Sequence, residues 1–373
     1  MIKNFTFLLF VLSLFSCSSN KDFLLKKNIY ENLPLKEINI LKVTTTPTIY
    51  CGDNVNYVDF DNFIFFSDCI NSIFSFNKST NKLNSAKLPF KIPYGININK
   101  NNAYFVEENN FLVSYDLKNN DLIWKIELNS QVKSIPIIFN NQIFLNSIDG
   151  SVFSYDISSG KSLWTYNSVQ SSLSLNLVRH IELSNQKSLL TSFPGGKVVA
   201  LNTENGLEIW SNFAAFPEGD NDIERLIDFK FKPIIIYDFA CFNAYLKNII
   251  CFDIAKGTKI FEFDDENVAF FNQHDNYLIG STNKHNLLFV DTSENFLLKK
   301  LALPGKVISS SKIDNNLFVI TNNFQLICID LETMEKFNPS FSKKNKYKKI
   351  HFSNNFLFLQ NKNNKVSIYA LSQ

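Results

Sequence analysis

The chain reads as all-β: an eight-bladed β-propeller of four-stranded antiparallel blades, its ring closed by an N-terminal strand. Three observations in the 373 residues predict this. First, the three tryptophans fill the same slot of one repeated phrase: FLVSYDLKNNDLIW (Phe111 to Trp124), SVFSYDISSGKSLW (Ser151 to Trp164) and KVVALNTENGLEIW (Lys197 to Trp210). Second, the Asp or Asn that opens the turn in this phrase recurs at Asn77, Asp116, Asp156, Asn202, Asp253, Asp291 and Asp330, with Ala370 in register as an eighth copy. The spacings are 39, 40, 46, 51, 38, 39 and 40 residues, the length of a four-stranded blade. Third, a second turn marker runs in step with the first, at Asp61-Asn62, Asn101-Asn102, Asn140-Asn141, Asn185, Asp238, Asp275-Asn276, Asn315-Asn316 and Asn354-Asn355. Apolar runs such as FIFF, AYFV, QIFL and FLFL follow it, as expected for hairpin strands.

The elements follow in chain order. Residues Met1 to Cys17 hold one basic residue, Lys3, then the apolar run Phe5 to Leu14, then LFSC. The run is too short for a stable membrane anchor and has the three-part form of a secretory signal. It resembles a bacterial lipoprotein signal, which implies that residues 1–16 are cleaved and that Cys17 is lipidated as the mature N-terminus. Phe15 departs from the usual pattern. Ser18 follows the cysteine where an inner-membrane retention signal would have Asp, so the resemblance implies the outer membrane. Residues 17–34 read as a polar tether, and residues 35–373 as the propeller.

Within each blade a β-branched and aromatic strand runs into Asp or Asn and turns four residues later, at Asn120, Gly160 or Gly206 in the Trp copies. Asn replaces Gly in many turns because, after Gly, its short amide best tolerates the left-handed backbone. That accounts for only 11 Gly in a chain with 45% hydrophobic and 14% aromatic residues, enough for a large packed core. The eighth copy stops at SIYALSQ, after its third strand, so another segment must supply the outer strand. LKEINILKV (Leu35 to Val43) has the length and alternation to do so, which would protect the sheet edges.

Several functional classes find no support. With 37 Lys+Arg against 35 Asp+Glu, the net charge of +2 leaves no nucleic-acid footprint. The basic run Lys343 to Lys349 reads as a solvated loop between blades. His180, His274, His285 and His351 lie in different repeats without metal-ligand spacing, and the acidic group Asp264, Asp265, Glu266 reads as a turn. No nucleophile elbow, phosphate-cradling loop or zinc-protease motif is present. We assign no catalytic, cofactor-binding or metal residue. Beyond Cys17 the cysteines are Cys51, Cys69, Cys241, Cys251 and Cys328, an odd number that cannot all pair. Aligning the Cys241 hairpin on the copy with the Asp149-Gly150 turn places Cys241 opposite Phe252 and Cys251 opposite Phe242. The two thiols then point to opposite faces, and free buried thiols are expected.

The Asp-x-x-x-Gly-x-x-x-Trp unit resembles the repeat of pyrroloquinoline-quinone-dependent dehydrogenases, where it packs blades together. The resemblance does not imply the cofactor, because the adjacent cysteines and calcium-binding set of those enzymes are missing from this sequence. An enzyme or small-ligand binder using the central channel stands as the alternative reading, on fold analogy.

Two spacings exceed the rest, and both additions, Tyr166 to Ser184 and Phe213 to Lys232, follow a Trp strand. Insertions on one face of a repeat protein commonly build its binding surface. In the second, Asp222, Ile223, Glu224, Arg225, Leu226 and Asp228 match an acidic-Ile-acidic-Arg-Leu-x-Asp pattern, while Lys230 stands where a second Asp would complete it. With the lipobox and the repeats, this loop resembles the BamB family, the lipoprotein propellers of the outer-membrane β-barrel assembly machinery. In the first insertion Leu173 and Leu175 correspond to the family's Leu-x-Leu-Arg, with Asn176 in place of the Arg and Arg179 three residues on. The resemblance implies a non-catalytic, lipid-anchored periplasmic scaffold that binds the barrel-inserting subunit through Leu173, Leu175, Glu224, Arg225, Leu226 and Asp228. From composition, Leu226 and Ile227 would anchor while Arg225 and Asp228 orient. Arg225 and Asp228 could instead pair with each other to brace the loop.

Overall fold

The computed structural model describes residues 33, 35–36, 38, 40–51, 55–169, 174–175, 177–184, 187–244, 247–264, 267–339 and 346–371. Cys17, Leu173, Asn176, residues 343–345 and the tether apart from Leu33 lie outside them; of the basic run expected as a solvated loop, Tyr347 to Lys349 instead open the inner strand of blade 8, with Tyr347 buried. The described residues form strands and turns without a helix, in eight separate sheets. Blades 1 to 8 begin with the inner strands Val58–Phe60, Asn97–Asn99, Ile137–Phe139, Ile181–Leu183, Ile234–Ile236, Val268–His274, Val307–Ile313 and Tyr347–Ser353. Blades 1 to 6 are continuous four-stranded meanders.

Each neighbouring pair of blades shares its own apolar cluster, eight in all, and the cluster between blades 8 and 1 closes the ring. A blade wedged between two others buries both faces of its middle strands, so Asn102–Val106 (NAYFV) and Phe111–Asp116 (FLVSYD) are nearly continuous runs of buried residues.

The ruler of the repeat has a structural counterpart in every blade, while the second marker of blade 4, Asn185, lies outside the described residues. The ruler positions pair with the first residue of the second strand throughout: Phe63 with Asn77, Asn102 with Asp116, and so on to Phe356 with Ala370. Asp116, Asp156, Asp253 and Asp330 each accept two backbone N–H groups into one carboxylate oxygen. This is the Asx turn that makes Asp or Asn the local choice. Four residues on, the backbone is left-handed each time, at Asn81, Asn120, Gly160, Gly206, Gly257, Asn295 and Met334.

The tryptophans join one blade to the next. The indole N–H of Trp124, Trp164 and Trp210 donates to the carbonyl of Ile157, Thr203 and Ile254, each one residue past the ruler of the following blade. That blade's turn glycine sits under the indole. A Cβ on Gly257 would lie 2.7 Å from the Trp210 ring, so the close approach and the φ of +69° both require glycine there.

The outer strands of blades 2 to 5 carry an extra residue just before the Trp or Phe slot, at Ile123, Leu163, Ile209 and Ile260. These β-bulges interrupt the open edge of each blade and so oppose edge-to-edge pairing with another chain.

Closure differs in detail from expectation. The strand beside Lys365–Leu371 is Ile40–Thr48, paired antiparallel from Ile40 with Leu371 to Thr48 with Lys365. Leu35–Lys36 instead pairs in parallel with Lys336–Pro339, adding a fifth strand to blade 7. Apolar alternation over Leu35 to Val43 places the closing strand about five residues too early, because Thr44 to Thr48 lacks the alternation that marks a strand.

The cysteine expectation is overturned. Cys241 and Cys251 lie directly opposite each other and form a disulfide, and Cys51 and Cys69 form a second; Cys328 is a buried thiol outside both bonds. Alignment on the Asp149-Gly150 copy sets the register one residue out, and in a strand pair one residue reverses the facing of every side chain.

Candidate functional site

Both insertions leave their blades at the level of the connections from outer to next inner strand, and the structure brings them together on one carboxylate. Asp228 is 1% exposed. It accepts from the Leu175 N–H at 2.8 Å, the Ser174 hydroxyl at 3.1 Å and its neighbour Phe229 N–H at 2.8 Å. The Arg179 guanidinium pairs with it and also donates to the Ser174 hydroxyl at 2.7 Å. Asp228 therefore staples the first insertion to the second. Arg179, three residues beyond the position where an Arg was sought, supplies the guanidinium.

The brace between Arg225 and Asp228 does not form. Arg225 donates through Nε to the Gly219 carbonyl, within its own loop and exposed. Glu224 also folds the loop back on itself, accepting the Asp220 N–H at 2.8 Å. That N–H and Asn221 hold its carboxyl below the usual carboxylate range. Leu226 is half-buried, while Ile227, expected as an anchor, is buried in the core between blades 4 and 5, where its carbonyl accepts the Gly195 N–H.

The apolar groups that reach solvent are others. Ile223 is 86% exposed, Phe216 63% and Leu175 41%. Phe216 stacks on the exposed Phe213 with ring centroids 5.3 Å apart. The second insertion intersperses its apolar groups with the exposed carboxylates Glu218, Asp220, Asp222 and Glu224. The surface presented by the loops is thus apolar knobs in an acidic rim. Phe213 and Phe216 went unnoticed because a phenylalanine at the end of a strand in a Phe-rich chain carries no signal of exposure. Arg225 and Glu224 stand on this surface, Leu226 at its base, and Asp228 beneath it.

Beneath the staple, Arg179 makes a parallel bridge to Ser134 of the blade 3 connector, and its N–H donates to the Lys133 carbonyl. His180, next along, contacts the Lys230 carbonyl through Nε2 at 3.2 Å, and burial pushes its pKa down to about 4. Lys230, the departure from the motif, thus contributes its backbone to this floor.

A separate cavity of about 310 Å³ is lined by the inner strands of blades 4 to 6, including Glu182, Lys232, Asn272 and Gln273. Glu182 and Lys232 pair with each other at 3.1 Å. Among the described residues no group of three His, Cys, Asp or Glu could hold a metal ion.

The profile of a family described as outer membrane protein assembly factor BamB matches residues 84–295, more than half of the chain. The outer membrane protein assembly factor BamB of Burkholderia pseudomallei is 27% identical over 158 residues, 42% of each chain. That of Nitrosomonas eutropha is 27% identical over 153 residues, 41% of this chain and 37% of the relative. The chain spans about two fifths of the length of the curated relatives it matches. The crystal structure of BamB from Moraxella catarrhalis superposes with a TM-score of 0.70, covering 89% of this chain and 99% of that one at 16% identity, a likeness of fold.

Proposed function

The chain belongs to the BamB family, and from that membership we propose that it is a non-catalytic scaffold assisting the assembly of outer-membrane β-barrel proteins. It acts from the periplasm, held to the outer membrane by a lipid on Cys17, and binds the barrel-inserting subunit through the paired insertion loops. The observation that carries this reading is the Asp228 staple: a buried carboxylate with four partners from two insertions makes one shaped surface from two loops. Rigid presentation of exposed aromatic and aliphatic groups limits the entropy lost on binding. The acidic rim selects a partner with a basic margin around an apolar patch.

The test is capture of the insertase from solubilised outer membranes. Phe216→Asp with Ile223→Asp should abolish co-purification while the melting temperature stays within about 2 °C of wild type, since both side chains are exposed. Undiminished capture would remove the loops from the interface. Cys17→Ser should release the protein from the membrane fraction, and retention through washing would contradict the anchor.

A further inference from the structure

We propose that Cys51–Cys69 is a thiol–disulfide exchange site, acted on by a dithiol protein, that latches the seam of the ring. Cys51 follows the closing strand Ile40–Thr48 on the connector into blade 1, and Cys69 sits in the turn between Phe63–Ser67 and Ser72–Asn77. The bond therefore ties the connector arriving from blade 8 to the body of blade 1.

The two disulfides differ in access. Cys241 and Cys251 are wholly buried in the cluster between blades 5 and 6, and the Cys328 thiol is equally inaccessible. Cys69 is partly exposed and Cys51 6% exposed, so an incoming thiolate meets this pair first, from the Cys69 side. Tyr50 and Ile70, both exposed, flank the pair and offer apolar contact to a partner protein.

The surroundings suit the chemistry. The Ser67 hydroxyl, 1% exposed, lies 3.9 Å from the Cys51 sulfur and 3.6 Å from the Cys69 sulfur, so its O–H can donate to either as it becomes a thiolate. The Ser67 carbonyl, 3.4 Å from the Cys51 sulfur, can accept from the Cys51 thiol once that is protonated. Nor does the site depend on the bond for its shape. Asp68 accepts the N–H groups of Ile70, Asn71 and Ser72 and holds Cys69 at a φ of 58°, while its carbonyl accepts the Tyr50 N–H. The sulfurs stay close after reduction, which makes the exchange reversible.

In the forward step a thiolate of the dithiol protein attacks the Cys69 sulfur, a mixed disulfide forms, and Cys51 leaves as a thiolate that takes a proton from solvent. The second thiol of the partner then attacks its own sulfur in the mixed disulfide and releases Cys69. Two electrons pass to the protein and the partner ends as a disulfide; the reverse sequence sets the latch. With the latch open, the connector keeps its hydrogen bonds and the packing of Ile49 and Val55 in the cluster between blades 8 and 1, but loses its covalent tie.

The test treats the oxidised full chain with dithiothreitol under native conditions, traps thiols with iodoacetamide at timed points, and maps them by peptide mass spectrometry. Cys51 and Cys69 should label at least about ten-fold faster than Cys241, Cys251 and Cys328, following access. Equal rates, or labelling only upon global unfolding, would overturn the proposal. Ser67→Ala should slow the reduction several-fold at an unchanged melting temperature, and an unchanged rate would overturn the role of the hydroxyl. Opening the latch in wild type, or replacing both cysteines with Ser, should lower the melting temperature by the same amount, about 5 °C. No change in either would show that the bond latches nothing.

Discussion

Between blades 2 and 5 each junction is made by an indole that donates to the next blade's turn and lies over its glycine. The junction between blades 8 and 1 has no tryptophan. There Phe66, Phe74, Phe76, Phe356 and Phe358 interlock, Tyr57 stacks on His351 at 4.4 Å, and Asp59 accepts from Lys78, Ser353 and Asn354. The first kind of junction is repeated because donor, acceptor and glycine all belong to one repeat unit. The second joins residues almost 300 positions apart, at the two ends of the chain, and is assembled once. A ring can copy its interior joints but must invent its clasp.

The largest effect should come from breaking the clasp where it pairs backbone. Deleting residues 1–48 removes Ile40–Thr48 and exposes the Lys365–Leu371 edge, so the product should aggregate or lose its cooperative melt. Deleting residues 1–38 removes only the two-residue strand on blade 7 and should leave the melting temperature within a few degrees. Calorimetry and sedimentation of both truncations separate the cases, and a well-folded monomer lacking residues 1–48 would show that the phenylalanine core closes the ring alone.

The joints themselves come next. Trp210→Ala removes an indole that is nearly buried and bonded to Ile254, and should destabilise by about 4 kcal/mol. Asp59→Ala, at the surface of the seam, should cost less than about 1 kcal/mol, because exposed ion pairs are screened. Denaturant titration measures both. A comparable loss in the two variants would mean that the seam rests on its polar hub instead of its aromatic core.

This contrast also explains what was legible. Blade count, turn positions, the indole as a packing device and an N-terminal closure could all be read, because each repeats within a unit or follows from a missing strand. The Cys241–Cys251 pair was missed over one residue of register, and the Cys51–Cys69 pair offered no repeat to align against. At the loops, the acidic-Arg-Leu-x-Asp motif marked the right segment. It could not reveal that Asp228 points inward to Arg179 while Ile223 points out, since that depends on how two insertions meet. Arg179→Ala or Asp228→Ala should therefore behave as a core variant, losing about 3 kcal/mol as a buried charge is left without its partner. Loss of partner capture at unchanged stability would instead place these two side chains in direct contact with the partner.

Acid sensitivity, a further small effect, also divides the molecule. Burial holds His180, His274 and His351 down to about 4, and the last of these lies at the seam, stacked on Tyr57. An unfolded chain takes up these protons near pH 6.5. Between about pH 6.5 and 4 the proton therefore binds the unfolded chain and not the fold, so stability falls as the pH drops through that window and levels off below it. The depressed carboxylates act later: Asp59 and Asp149 lie below the usual range and Asp156 near 2, so their contribution is present above the unfolded carboxylate value and lost as the pH falls beneath it. His351→Phe keeps an aromatic ring against Tyr57 but removes the proton site. Its stability should fall less than wild type between pH 7 and 4.5, by about 1 kcal/mol given the partial exposure of the ring. Denaturant titrations at four pH values across the window read the difference. Parallel curves would mean that the seam opens to admit the proton without unfolding, making the clasp the softest joint in the ring.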